Sequence, residues 1–138
     1  MTEQRVRRTE DTDLAIRYWL QGVARRHNVG ALVLADERGE LVSGAECLAF
    51  AGEPVATGID SLYGRDIAAI GPSAYDDVCR TGETDWQARG KPVRVAAVHA
   101  RDERYFLVTV GETATGEPLE GEAIPGVVRI LSSRQLPS

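Results

Sequence analysis

The sequence predicts a single α+β domain in which helices flank a central antiparallel sheet of five strands. Three features support this prediction: an amphipathic helix pattern near the start, an apolar segment followed at once by a tight turn, and a pair of β-rich segments around residue 100. With 138 residues, the chain is long enough to bury one hydrophobic core. We therefore assign residues 1–138 to one domain and expect flexible ends at residues 1–10 and 133–138.

The first helix is predicted to begin at a group of capping residues and to run for about four turns. Asp11, Thr12 and Asp13 carry side-chain oxygens that can accept hydrogen bonds from the free N–H groups of a helix start. Asn28 and Gly30 supply stop signals. Between them, one stripe at helical spacing contains Ile16, Trp19, Leu20, Val23 and His27. Such a stripe needs a sheet face to cover it.

A hairpin follows the first helix directly. The run from Ala31 to Ala35 is continuously apolar, which suits a central strand covered on both faces. Asp36 to Gly39 fits a type I turn closed by a glycine in the left-handed region, and Leu41 begins the return strand. Residues 45–58 mix apolar residues with glycine and proline, so we expect an extended, partly packed connection there.

A second helix is predicted after a cap at Asp60 or Ser61. Its apolar face consists of Leu62, Ile67, Ile70, Tyr75 and Val78. Gly71 and Pro72 fall in the middle of this pattern, and proline removes a helical hydrogen bond. The helix is therefore expected to be kinked there or split into about 61–70 and 72–81.

The last third of the chain predicts three strands and a short helix. Glu83–Ala88 is a candidate edge strand, and Val93–Ala100 and Tyr105–Val110 form a second hairpin around a polar turn. Residues 112–122 contain four glutamates and predict an exposed acidic loop. Pro125 can occupy the first position of a closing helix.

This order of elements, centred on the Ala31–Ser43 hairpin, resembles the Roadblock/LC7 family. Ser61–Gly71 is similar to the start of that family's central helix, and Tyr105–Val110 is similar to its last strand. The resemblance implies the profilin-like order α-β-β-α-β-β-β-α. It also implies a homodimer, or a heterodimer with a related chain, and a small Ras-like GTPase as partner, because bacterial members often accompany such a GTPase as an activator or a scaffold.

The resemblance also implies where a dimer or partner interface lies. In the family, central helices pack across the dimer axis and the first strands of the meander join edge to edge. Carried over to this chain, the interface residues are Leu62, Ile67, Ile70, Tyr75 and Trp86. Trp86 suits an interface independently, as an aromatic residue among polar neighbours. An ordinary half-buried strand residue is an equal alternative for it.

Motifs typical of catalysis are missing from the sequence. Gly90-Lys91 is followed by proline, so it lacks the pattern of a phosphate-binding loop, and no Gly-x-Ser-x-Gly elbow occurs. His99 with Asp102 or Glu103 could form a general base, although turn carboxylates are more often simply solvated. We therefore expect a protein that is not an enzyme and has neither cofactor nor metal site.

The remaining acidic pair on the second helix, the two cysteines and the first histidine are expected to have ordinary structural roles. Asp76 and Asp77 diverge by about 100° on a helix, so they do not face one target and are expected to be solvated. Cys47 and Cys79 are expected to be reduced and partly buried thiols. His27, at the end of the first helix, suits the helix dipole.

Composition limits the partners further. The net charge of −5 argues against binding to nucleic acid, since phosphate contacts need a basic face. The sequence has no apolar run long enough to span a membrane and no signal-peptide core at its start, so we expect a cytoplasmic protein without membrane contact.

Three functional hypotheses follow from the sequence. The favoured one is a non-enzymatic dimerising scaffold or regulatory module that acts with a small Ras-like GTPase or a related signalling complex. The alternative is a sensory ligand-binding domain of the GAF or PAS kind, in which residues 45–58 form part of a pocket lined by Phe50, Tyr63 or His99. An enzyme that uses His99, Asp102 or a cysteine is the least supported.

Overall fold

The computed structural model describes the backbone of residues 2–50, 53–111 and 117–133. Its elements are α1 (Thr2–His27), β1 (Ala31–Asp36), β2 (Leu41–Phe50), β3 (Glu53–Gly58), α2 (Ser61–Thr81), β4 (Gln87–Ala88), β5 (Lys91–Ala100), β6 (Glu103–Val110) and α3 (Glu117–Ser133). Within the described residues the sheet has the order β3-β2-β1-β6-β5-β4, and every neighbouring pair is antiparallel. The predicted α+β class with an antiparallel sheet flanked by helices is confirmed.

The sheet has six strands in the described part of the chain, one more than the sequence predicts. The expected connection over residues 45–58 is instead the second half of β2 and the whole of β3, paired with Leu48 opposite Val55. Gly52 and Pro54 led to the prediction of a connection, because both residues interrupt strands. Proline is tolerated in an edge strand, where its missing N–H faces away from the ladder, and β3 is such an edge.

The first and last helices both begin earlier than predicted. The helix α1 starts at Thr2, so Asp11, Thr12 and Asp13 are interior positions rather than caps. The helix α3 starts at Glu117, so Pro125 lies inside it, and the second half of the predicted acidic loop is helical. Residues 112–116, the first half of that loop, lie outside the described residues. Charged residues with good helix propensity extend α1 beyond its apolar stripe. The early start of α3 has an apolar anchor instead, because Leu119 and Ala123 are buried in the cluster on the α1 side of the sheet.

The helix α2 is continuous from Ser61 to Thr81, so the predicted split at Pro72 is wrong. Both ends are capped: the Asp60 carboxylate accepts a hydrogen bond from the Tyr63 amide, and Gly82, at φ 83°, donates its N–H to the Val78 carbonyl. The ring of Pro72 lies against the turn between β1 and β2, 3.4 Å from where a Cβ on Gly39 would stand. Packing on this turn and capping at both ends keep the helix intact despite the lost hydrogen bond.

The sheet separates two hydrophobic clusters. Leu32 and Leu34 of β1 point to the face covered by α1 and α3, whereas Ala31, Val33 and Ala35 point to the face covered by α2. This alternation follows from the period of two along a strand. The predicted turn after β1 is confirmed, because the Asp36 side chain accepts hydrogen bonds from two turn amides and Gly39 has a φ of 85°.

Candidate interface on helix α2 and strand β4

The helix α2 is the only described helix on its face of the sheet, and its outer surface is open. Leu62 is 69% exposed in the first turn. The residues that continue this surface toward the C-terminus are also exposed and are small or charged: Arg65, Asp66, Ala69, Ser73 and Asp76. No described element covers them, so this surface is available to another molecule.

The structure separates the five residues predicted for the interface. Leu62 is exposed and Trp86 is 40% exposed, so both are accessible. Ile70 and Tyr75 are half-buried and pack against the cluster beneath α2. Ile67 is fully buried in that cluster, so its side chain packs into its own subunit rather than toward a partner. Ile67 thus lies on the inner side of the helix, whereas the prediction needs it on the outer side.

Tyr75 is also directed toward its own sheet. Its ring lies 5.1 Å from the ring of Phe106, and the guanidinium of Arg104 lies over the same two rings. A hydrogen bond with Cys79, one turn further along the helix, raises the pKa of the Tyr75 hydroxyl. Cys79 itself is exposed, contrary to the expectation of a partly buried thiol, whereas Cys47 is half-buried as expected.

Trp86 is anchored to α2 through Asp77. The indole Nε1 donates a hydrogen bond of 2.9 Å to Asp77 Oδ2, and Arg80 pairs with the other carboxylate oxygen. The sequence predicted a solvated role for Asp77, and no sequence spacing indicates a contact with Trp86. The two residues lie beside a shallow surface concavity of about 470 Å³, whose lining includes the carboxylates of Asp77, Glu83 and Asp85.

Arg89 connects the other end of the β4–β5 hairpin to α2. It occupies the left-handed region at φ 51° and is followed by Gly90 at φ 74°, so the two form a tight turn. The Arg89 guanidinium lies 3.6 Å from the centroid of the Tyr63 ring. Burial raises the pKa of Tyr63, and the charge of Arg89 opposes this shift. The hairpin is thus held on α2 at two places, Asp77 and Tyr63.

The outer edge of β4 is open at Gln87. Gln87 stands opposite Pro92 of β5, which has no N–H, and the Pro92 carbonyl accepts from Gly111 on its other side. The neighbouring residue Trp86 uses its carbonyl to accept from Val93. Because hydrogen-bonding directions alternate along an antiparallel strand, the N–H and C=O of Gln87 point away from β5. No described strand lies on that side.

The candidate catalytic residues lie at the end of β5 that is away from the β4–β5 turn. His99 is exposed on β5, and Asp102 and Glu103 follow it at the β5–β6 turn. Glu103 accepts a 2.7 Å hydrogen bond from the Tyr105 hydroxyl. Burial of the hydroxyl is the main cause that raises the pKa of Tyr105 to about 12, and this hydrogen bond is the second. In the described part of the chain no hydrogen bond joins His99 to either carboxylate. Nor do three potential metal ligands cluster anywhere among these residues.

The residues proposed to line a ligand pocket are also far apart. Tyr63 contacts Arg89, which lies beside the first residue of β5, whereas His99 is near the last. His99 lies eight positions after Lys91 along β5, a span of about 26 Å. The side chain of Phe50 lies outside the described residues. Tyr63 and His99 therefore cannot line one small pocket.

None of the described helices combines the length and apolar composition that crossing a bilayer requires.

Comparison with known proteins identifies the fold. No family model and no curated protein matches the sequence. Two solved structures share the fold over nearly the whole chain. MglB of Myxococcus xanthus is 15% identical with a TM-score of 0.54, covering 91% of this chain and 92% of its own. The gliding protein mglB of Thermus thermophilus is 14% identical with a TM-score of 0.51, covering 87% of this chain and 90% of its own. The chain therefore has the fold of these MglB proteins, which is the Roadblock/LC7 fold that the sequence resemblance implies.

Proposed function

We propose that this protein is a non-enzymatic dimerising module that scaffolds or regulates a small Ras-like GTPase or a related signalling complex. The observation that carries the proposal is the fold shared with two MglB structures over about nine-tenths of the chain. The family resemblance in the sequence associates bacterial members of this fold with such GTPases. His99, Asp102 and Glu103 line one shallow concavity at the β5–β6 turn. In the described part of the chain the Glu103 carboxylate accepts from Tyr105 rather than from His99, which supports partner binding over acid–base chemistry.

The dimer half of the proposal rests on the α2 and β4 surface. Leu62 and Trp86 are two large apolar side chains exposed on this side of the molecule, and β4 offers an unpaired strand edge next to them. Exposed apolar side chains beside an open edge are stabilised when another chain covers them. An aromatic residue fixed by a hydrogen bond loses little side-chain freedom on association, and Trp86 is fixed in this way by Asp77.

The dimer is tested by measuring the mass of the protein in solution with light scattering and sedimentation at micromolar concentration. We expect a dimer for the wild type and a weaker dimer for Trp86→Asp, because a carboxylate then replaces the apolar surface. Tyr18→Asp is the matched control, since Tyr18 is also an exposed aromatic residue but lies on α1, across the sheet from α2. A monomeric wild type contradicts the proposal.

The GTPase half is tested with small Ras-like GTPases purified from the same host, loaded with either GDP or a non-hydrolysable GTP analogue. We expect binding to one GTPase that depends on the bound nucleotide, measured by calorimetry. Single-turnover hydrolysis of GTP with and without this protein distinguishes an activator from a scaffold. If no host GTPase binds in either nucleotide state, this half of the proposal is wrong, whatever the oligomeric state.

A further inference from the structure

We infer that the open edge of β3, beside α1, is a second interaction site, and that it binds an extended peptide strand whose side chains alternate between acidic and apolar. This edge lies at the other end of the strand order from β4, so the inference does not depend on the proposed dimer. It is carried by free backbone groups along β3, by unpaired guanidiniums on one face of the edge and by exposed apolar side chains on the other.

The backbone of β3 has free hydrogen-bonding groups along its outer side. The Cys47 amide donates to the Gly30 carbonyl on the β1 side, so Cys47 and its opposite residue Ala56 do not bond to each other. The N–H and C=O of Ala56 therefore point away from β2, and those of Gly58, two positions later, do the same. Among the described residues no strand pairs with that side of β3. Such an edge can accept another strand by β-augmentation.

A groove lies between this edge and α1. Its volume is about 360 Å³, and its lining comprises Tyr18, Gln21, Gly22 and Arg25 of α1 with Glu53, Val55 and Ala56 of β3. Ala56 is on the same face as Cys47, which packs against the cluster covered by α1. One wall of the groove is therefore a helix and the other is the free strand edge. A strand added to β3 would contact α1 as well.

The α1 wall carries two guanidiniums that lack a partner of opposite charge. Arg25 is exposed in the groove, and neither Arg25 nor Arg17 forms an ion pair with any residue that the structure describes. Arg17 lies on Gly58, since a Cβ there would stand 3.0 Å from Arg17 Cδ, and its Nε is buried without a hydrogen-bond partner. Carboxylates on the α1 side of an added strand would form charge-assisted hydrogen bonds with this wall.

The other face of the same edge is apolar. Leu48 of β2 and Val55 of β3 stand opposite each other and are 49% and 47% exposed. Both point away from the α1 side, because side chains alternate along a strand and their neighbours Cys47 and Ala56 point toward it. Glu53, the acidic residue of the groove lining, is on the Val55 face too. Apolar side chains on this face of an added strand would extend the Leu48–Val55 pair. A strand that matches both faces alternates acidic and apolar residues.

The same charges disfavour a second copy of this chain as the occupant. Pairing of β3 with the β3 strand of another copy would bring a second Arg17 and a second Arg25 to the same groove. Like charges across an interface oppose association, whereas an acidic strand neutralises the guanidiniums. We therefore assign this edge to an acidic segment of a different protein.

The test uses a fluorescently labelled synthetic peptide of the length of β3, six residues, in which glutamate and valine alternate. We expect the wild type to bind it, with an affinity that falls as salt is added. The corresponding lysine–valine peptide should bind at least about tenfold more weakly, because its charges are repelled. A peptide of the same composition with all glutamates first should also bind more weakly, since it lacks two distinct faces. Fluorescence anisotropy measures all three, and hydrogen exchange should show protection of the Ala56 and Gly58 amides by the alternating peptide.

Two variants locate the site. Ala56→Pro removes an outward N–H without removing a hydrogen bond to β2, and its ring obstructs an added strand, so binding should weaken at least about tenfold. Ala56→Ser keeps the N–H and is the matched control. Arg25→Glu should weaken binding of the alternating peptide about fivefold or more. Arg38→Glu, an exposed position in the β1–β2 turn, should bind as the wild type does.

The inference is overturned if the wild type does not bind the alternating peptide at about 1 mM, or binds the lysine–valine peptide equally well. It is also overturned if Ala56→Pro keeps the wild-type circular dichroism and the wild-type affinity. If Ala56→Pro does not fold, Arg25→Glu and the hydrogen exchange of the wild type decide. A smaller mass of Ala56→Pro in solution would mean that a second copy occupies the edge, which contradicts the assignment. In each of these cases the proposed function stands.

Discussion

Gly126 of α3 lies directly against the indole ring of Trp19 of α1. A Cβ atom at position 126 would overlap the ring atom Cε2. The indole Nε1 donates a 3.0 Å hydrogen bond to the carbonyl of Ala123, one turn before Gly126. The guanidiniums of Arg26 and Arg129 each lie 5.7 Å from the ring. Trp19 therefore packs α1 against α3 on this face of the sheet.

Gly126→Ala should destabilise the protein even though alanine is the better helix former. Relief of the clash requires a shift of Trp19 or of the α3 backbone, and overpacking of this kind costs about 1–3 kcal/mol. Gly121→Ala on the same helix has no atom within 4 Å of the added Cβ and should instead stabilise by up to about 1 kcal/mol. Urea unfolding of both variants measures the difference; equal effects would contradict the packing described.

Ile67→Ala should lower the free energy of unfolding by about 2–5 kcal/mol, the range for truncating a fully buried aliphatic side chain. Leu62→Ala on the same helix removes an exposed side chain and should change the stability of the subunit by no more than about 0.5 kcal/mol. To isolate the subunit, unfolding is compared at several protein concentrations. If, at low protein concentration, Leu62→Ala lowers the free energy of unfolding more than Ile67→Ala does, the assignment of the inner and outer faces of α2 is wrong.

Glu122 of α3 pairs with Arg26 and His27 of α1, and its contribution to the free energy of unfolding should depend on pH. The hydrogen bond from Arg26, then that from His27, lowers the pKa of Glu122 despite the opposing effect of burial. A folded-state pKa below the unfolded value of about 4.3 means that this stabilisation is present above pH 4.3. It is lost as the pH falls through the folded-state pKa.

Glu122→Gln should therefore reduce stability by up to about 1 kcal/mol at pH 7, the range for a partly exposed ion pair. The difference from wild type should shrink below pH 4.3 and vanish in stronger acid. Chemical denaturation from pH 7 to pH 3 measures it, with Glu40→Gln as an exposed control. A difference that does not change with pH would show that charge is not the cause.

Asp77→Ala should release Trp86 from α2, because it removes the acceptor of the indole N–H. Tryptophan fluorescence should shift to longer wavelength as the Trp86 ring enters water, whereas the emission of Trp19, which packs between α1 and α3, should stay the same. The loss of stability should be about 1 kcal/mol, the net value of one such hydrogen bond. Asp76→Ala, the neighbouring exposed carboxylate, should leave the spectrum unchanged. An unchanged spectrum for Asp77→Ala would contradict the anchoring role.

Most of the fold could be predicted because its core strands carry local signals. The Ala31–Ala35 run, the Asp36–Gly39 turn and the alternation around Val93–Ala100 each specify their own structure through burial and turn geometry. The third strand could not be predicted in this way, because Gly52 and Pro54 give the same local signal in a loop and in an edge strand. Pairing with β2, a tertiary interaction, decides between the two.

The surface was harder to predict than the core. The stripe on α2 indicated which residues are apolar, but not which of them the sheet would cover, so Ile67 and Leu62 looked equivalent in sequence although one is buried and the other exposed. The contact between Trp86 and Asp77 depends on how the β4–β5 hairpin returns over the helix. That path is determined by the whole sheet rather than by any local pattern.

The two middle strands of the sheet, β1 and β6, come from opposite halves of the chain, with Ala31 opposite Val110. Their pairing closes a long loop, which slows folding relative to a fold built from sequence neighbours alone. During synthesis, the first hairpin leaves the ribosome before its main neighbour exists, so its apolar strand stays exposed until residue 110 has been translated. We therefore expect nascent chains that end before β6 to be aggregation-prone and protease-sensitive, and to acquire protection in one late step.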